Sequence, residues 1–171
     1  MTRKCFILFF LFLLKGTSQS LFAQINSWNH THYTTKDGLP SNIIRNMVQD
    51  HDGFLWIVTE CGLCRFDGDE FIRVLHDDKD STTIPTDHLN FIALSPNGHL
   101  LVSTSLGIFV MNPKTKRGYT IHARLTKERI NLDDNFRNIY VNTALRKIFV
   151  ITSTALIVMD YGMNKIGRAH V

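Results

Sequence analysis

Three small groups of side chains in this sequence have the types and spacing to do chemistry. Cys61 and Cys64 stand in Cys61-Gly62-Leu63-Cys64, which suits thiol exchange or half of a zinc site. His30 and His32 alternate with polar and aromatic neighbours and would share one face of a strand, where two imidazoles could begin a metal site. Asp50 and Asp52 are spaced like the opening carboxylates of a calcium loop. Each group falls short of a site. A structural zinc wants a second cysteine pair, two histidines are too few ligands, and the calcium loop lacks its other oxygen ligands and closing Glu. Nor does the cysteine pair open a helix, as a redox CxxC does. The plainer readings are two free thiols acting as small apolar residues, one strand face, and a hairpin turn at Asp52-Gly53. A Cys61–Cys64 disulfide formed after export is the alternative for the thiols, and needs Cα atoms within about 7 Å. No metal and no cofactor are expected.

The elements that must hold these groups are repeated. Setting Leu39-Pro40 over Ile84-Pro85 gives an offset of 45 residues (84 − 39) that places Ser41 on Thr86, Asn42 on Asp87, Gly53 on Gly98, Thr59 on Thr104 and Gly62 on Gly107. A further copy follows when Thr104 is set over Thr152, an offset of 48 (152 − 104). Within each copy, short apolar runs alternate with Asp-Gly, Asn-Gly or Gly turns, which reads as antiparallel strands. Units of this length with several strands each are propeller blades. Trp56, Leu101 and Phe149 share one position, and Leu55, Leu100 and Ile148 the one before it; strands apolar at successive positions are covered on both faces, as in stacked blades. Trp56 is therefore a packing residue. The expected fold class is all-β, with about three four-stranded antiparallel blades of an incomplete propeller. Residues 24–36 form a leading strand, 37–80 blade one, 81–126 blade two and 127–165 a partial blade three. Strands are predicted at 43–49, 54–59, 63–66 and 70–75, at 91–94, 99–104, 107–112 and 119–122, and at 138–142, 147–152 and 155–160, with Pro113 and Gly118 bracketing the last hairpin of blade two.

Both ends are set apart from this core. Residues 1–23 begin with Arg3 and Lys4, continue with an apolar run from Cys5 to Leu14, and end at Leu21-Phe22-Ala23, the layout of a secretory signal peptide preceding the fold. The chain is thus expected to be exported. Residues 166–171, Ile-Gly-Arg-Ala-His-Val, can be encoded by ATC GGA AGA GCA CAC GTC, the start of a widely used short-read sequencing adapter, and are expected to be read-through of it. The 19 basic and 15 acidic residues give a net charge of +4, but Arg3, Lys4, Lys15 and Arg168 lie in these end segments, so the core is neutral. Its charge gives no ground for a nucleic-acid partner.

The string Asp37-Gly38-Leu39-Pro40-Ser41-Asn42, then Gln49-Asp50, Gly53-Phe54-Leu55-Trp56-Ile57-Val58-Thr59, Gly62-Leu63, Arg65-Phe66-Asp67-Gly68 and Phe71 resembles the two-component regulator propeller repeat. It departs from that pattern at Val58, usually Gly, and at Cys61 and Cys64, usually polar. The resemblance implies the periplasmic sensor region of a hybrid two-component system, one that detects oligosaccharides released from glycans and signals to a membrane-anchored histidine kinase. It implies as partners an oligosaccharide ligand, the remaining blades and kinase, and a second copy in a full-length homodimer. No kinase or receiver signature stands in these residues, so this chain is expected to catalyse nothing. In propellers the turns between second and third strands and the connectors into each innermost strand share one rim. Glu60, Ser105, Asn42 and Asp87 are therefore the candidates for hydrogen-bonding sugar hydroxyls, against the plainer reading that Asn42 and Asp87 close turns. The competing functions are the front of a propeller enzyme acting on polysaccharide, which would need paired carboxylates on the axis, and a structural or adhesion propeller. An unclosed array should expose strand edges and apolar faces and be poorly soluble as residues 24–164.

Overall fold

Gly53 and Gly98 take left-handed backbone (φ 91 and 79), which a tight two-strand turn demands and which a Cβ opposes. Arg146 holds the same place in the third repeat and is forced into the same region, φ 53. In each case the turn closes with the same bond: Gly53 N to Asp50 O, Gly98 N to Ser95 O, and Arg146 N to Thr143 O. Flanking these turns, the computed structural model, which describes residues 30–121, 136–162 and 165–170, forms three four-stranded antiparallel sheets. The first comprises β1 (Ile44–Gln49), β2 (Leu55–Thr59), β3 (Gly62–Phe66) and β4 (Phe71–Val74) in that order. The second comprises β5 (Leu89–Leu94), β6 (Leu100–Thr104), β7 (Gly107–Asn112) and β8 (Arg117–Ile121). The third comprises β9 (Asn138–Asn142), β10 (Lys147–Ile151), β11 (Ala155–Asp160) and β12 (Lys165–His170). No α-helix occurs among the described residues.

Adjacent sheets approach through their first strands, β1 against β5 and β5 against β9. Strand alternation then sorts every blade into two faces. Trp56, Val58 and Leu63 of the first sheet meet Leu100, Val102, Phe109 and Met111 of the second in one core. Leu101, Ile108 and Val110, on the other face of the second sheet, meet Ile148, Val150, Ile157 and Met159 of the third in another. Equivalent positions play equivalent parts: Trp56 and Leu101 face the following sheet, Leu100 and Ile148 the preceding one. Each of these four is 0% exposed, and full burial of such a side chain stabilises by roughly 1.5–3 kcal/mol. First strands are also stitched through asparagine. Asn46 Oδ1 accepts from the Ile92 N–H at 3.3 Å, and Asn90 Nδ2 donates to Phe136 O at 3.1 Å.

Several expectations need correction. Residues 30–34, placed in a leading strand, join no ladder, and Thr35–Asp37 is a 3-10 turn. The reason is local: Thr34 and Asp37 form a reciprocal capping box, which closes the chain on itself. Tyr33 instead packs its ring 5.2 Å from Phe66 and 5.3 Å from Phe71. Gly118 does not bracket a turn but lies within β8, where an added Cβ would stand 2.0 Å from Val110 O. The turn uses Lys116 at φ 57. Finally, the third sheet gains β12 from residues largely assigned to read-through. An edge strand offers its N–H and C=O groups to any extended segment, so such pairing asks little of side-chain identity. The signal peptide, residues 24–29 of the leading strand and the end of blade two lie outside the described residues.

Candidate functional site

The rim proposed from sequence is built on a threonine that recurs beneath each turn joining second to third strand. Thr59, Thr104 and Thr152 are all buried. Their hydroxyls donate to Gly62 O (3.0 Å), Gly107 O (2.9 Å) and Ala155 O (3.2 Å), and accept from the N–H of Cys61, Leu106 and Thr154. A side-chain bond of this kind fixes both ends of the turn from below. The tip residues are left facing outward, and Glu60 and Ser105 are both exposed.

Asn42 and Asp87 enter the same rim from the connectors. Asn42 Oδ1 accepts from the Thr35 N–H at 2.8 Å, so its acceptor serves the turn before β1. The next residue, Ile43, accepts at its carbonyl from the Glu60 N–H at 3.0 Å, which brings the connector and the Glu60 turn together. Asp87 is exposed and lies against the same turn: a Cβ on Gly62 would be 3.6 Å from its carboxylate. Glu60 also reaches Arg45 at 3.7 Å, an exposed pair worth little in stability. The first-blade turn thus has Asn42, Arg45, Glu60 and Asp87 around it, while Ser105 tips the equivalent turn one blade along. Polar groups of both signs on rigid turns can hydrogen-bond a hydroxylated ligand; Arg45 is the member that sequence reasoning missed. The signal for it was a bulge, visible only in the register: pairing slips between Ile44 and Asn46, leaving Arg45 as the extra residue.

Cys61 and Cys64 carry free thiols of different character. Cys61 is exposed at the turn, whereas Cys64 is buried among Leu39 and Ile57, with Sγ 3.8 Å from Ile57 O. Burial pushes the Cys64 thiol up to about 11, against a smaller opposing pull from Arg73. A thiol so disfavoured as thiolate is a poor nucleophile. Asp50 and Asp52 likewise separate. Asp50 is buried and accepts from the Asp52 and Phe54 N–H groups at 3.0 Å and from Trp56 Nε1 at 2.7 Å. Asp52 is exposed and pairs with Lys114 at 3.5 Å. The two lie at the other rim, beside a shallow polar cleft of about 210 Å³ lined also by His51, Asn97, His99 and Asn112. Among the described residues no group of His, Cys, Asp and Glu is placed to hold a metal ion. His30 and His32 precede the 3-10 turn and lie on no strand face.

Residues 38–61 match the two component regulator propeller family. No curated protein matches the chain. Among solved structures, the extracellular domain assigned to a hybrid two component system of B. thetaiotaomicron, BT3049, is similar with a TM-score of 0.68 at 22% identity, over 82% of this chain and 20% of that one. The extracellular domain of another such system from the same organism, BT4673, gives a TM-score of 0.64 at 17% identity, over 83% of this chain and 18% of that one. These likenesses show the propeller fold, and the chain spans about a fifth of each of those domains.

Proposed function

From the premise that this chain carries a two component regulator propeller repeat, we propose that it is the front part of an exported, periplasmic ligand-sensing propeller. The observation that carries this reading is the match of residues 38–61 to that family, within three blades that resemble the extracellular domains of such systems. In this proposal the ligand is an oligosaccharide from glycan breakdown. It is met by Asn42 through its free-facing amide, by Glu60 and Asp87 as acceptors, and by Ser105. The signal passes to a histidine kinase in the remainder of a longer polypeptide, which acts as a homodimer. Ligand would favour one arrangement of the extracellular domains, and that bias is what crosses the membrane. Residues 166–171 are proposed to be adapter read-through, which the nucleotides decide: any other codon set removes the idea.

The test uses the contiguous gene. The extracellular region, wild type and with Asn42→Ala plus Glu60→Ala, is titrated with glycan oligosaccharides by calorimetry. A loss of affinity of tenfold or more is expected for the cognate sugar with the fold unchanged by circular dichroism; unaltered affinity would sink the site assignment. An uninterrupted gene without a kinase would sink the signalling role.

A further inference from the structure

The cleft on the rim opposite Glu60 lies across the junction of the first and second blades, which supply both of its walls. Three turns enclose it: residues 50–52 after β1, 97–99 after β5 and 112–114 after β7. Its volume of about 210 Å³ is roughly seven times the share of one water in the liquid, room for a single small ring. Two contacts hold the walls to each other. Asp52 of the first blade pairs with Lys114 of the second at 3.5 Å. His51 is seated on the neighbouring hairpin, where a Cβ on Gly98 would stand 3.3 Å from its Nδ1. The glycine that this turn requires at φ 79 thus also makes room for the imidazole.

The charged groups of the cleft are already engaged. Asp50 accepts from the Asp52 and Phe54 N–H groups and from Trp56 Nε1, and Asp52 faces Lys114. What remains are two amides and two imidazoles. Asn112 Oδ1 accepts from the Lys114 and Thr115 N–H groups, which leaves its amide nitrogen as a donor. Among the described residues, the side chains of Asn97, His51 and His99 make no hydrogen bond. A neutral imidazole offers one donor and one acceptor, a primary amide offers both, and a hydroxyl is likewise donor and acceptor at once. A molecule with several hydroxyls and no charge therefore matches this set. A charged one would have to part Asp52 from Lys114 or leave its own charge unpaired.

We propose that this cleft is a ligand site of its own, separate from the rim around Glu60, for a small neutral polyhydroxylated molecule: one sugar ring or a short polyol. His51, Asn97, His99 and the Asn112 amide nitrogen hold it. Because the walls come from two blades, the bound molecule adds hydrogen bonds across their junction, beside the Asp52–Lys114 pair.

Saturation-transfer NMR on the extracellular region of the contiguous gene tests this, with glucose, galactose and sorbitol as probes. The region carries Asn42→Ala plus Glu60→Ala throughout, so that the opposite rim does not contribute. Saturable binding of at least one probe is expected, with a dissociation constant on the order of 1 mM, ordinary for a ligand of so few atoms. Adding His51→Ala plus Asn97→Ala is expected to weaken it at least tenfold. Both residues are exposed, so neither change removes a buried contact; if the pair alters the fold by circular dichroism, each single change is expected to weaken binding at least threefold. Glucuronate and glucosamine are expected to bind at least tenfold more weakly than the best neutral probe. No saturable signal from any probe overturns the proposal, as does a signal that the cleft changes leave unaltered, or charged sugars that bind as well as neutral ones. Failure here with oligosaccharide binding intact in the region without these changes leaves the Glu60 rim standing, and the reverse result leaves this cleft standing.

Discussion

Trp56 in the first sheet and Phe149 in the third stand at one position of the repeat, yet Trp56 is 0% exposed and Phe149 is only partly covered. Their strands are alike in length and pairing. What differs is the neighbour: a second sheet lies on Trp56, and no described sheet lies on the outer face of the third. Burial in a stacked array is therefore a property of the junction rather than of the blade, as expected where each repeat contacts only its neighbours. The first blade adds a local anchor that the third lacks. Asp50 ties the first hairpin to the Trp56 indole, whereas the third repeat closes its turn through the Thr143 carbonyl, which accepts from the Arg146 N–H, and Asn142 Oδ1, which accepts from the Leu145 N–H.

The contrast can be broken most directly at its two aromatic ends. Trp56→Ala should destabilise the chain by about 3–5 kcal/mol in urea unfolding, and Phe149→Ala by about 1 kcal/mol; equal losses would mean that the third sheet is covered after all. Next in size, Asp50→Ala should cost about 2–3 kcal/mol, since it orphans the Trp56 N–H and two backbone donors, while Thr143→Ala stays within about 0.5 kcal/mol. The rim threonines offer a control that should not distinguish the blades. Thr59→Val, Thr104→Val and Thr152→Val should each cost about 1–2 kcal/mol, and a spread beyond that range would show that the three turns are not equivalent. Arg146→Gly should run the other way, gaining about 1 kcal/mol by relieving left-handed backbone, with no such gain open at Gly53 or Gly98.

The smallest effect is confined to the first junction, where His76 links the blade to its connector. Nδ1 lies 2.6 Å from Ile84 O and Nε2 2.8 Å from the Asp78 carboxylate. The Ile84 carbonyl first, and then Asp78, favour the doubly protonated ring and raise its pKa above the ordinary 6.5. A raised folded value means that the stabilisation is fully present below 6.5 and fades as pH rises through the folded value. An NMR titration of the imidazole should show the upward shift, and Asp78→Asn should reduce it.

Much of this was legible in the residues. The repeat register, the Asp-Gly and Asn-Gly turns and the doubly apolar strands place all three sheets, because each reports a backbone requirement that few residue types satisfy. The parts that were not legible depend on contacts between distant positions or on capping. The 3-10 turn at 35–37 rests on Thr34 meeting Asp37, which competes with an alternating pattern that reads as strand. Gly118 sits in β8 because Val110 O comes close, a constraint with no local mark. Of the rim, Glu60 and Ser105 were readable as turn tips. Arg45 was not, since a bulge exists only relative to a partner strand.

The hydroxyl seated under each rim turn has an evolutionary corollary. With closure secured from beneath by Thr59, Thr104 and Thr152, the outward dipeptides have diverged to Glu-Cys, Ser-Leu and Ser-Thr on one unchanged scaffold. Substitution can therefore rewrite the polar character of this rim two letters at a time, without any accompanying repair of the architecture that carries it.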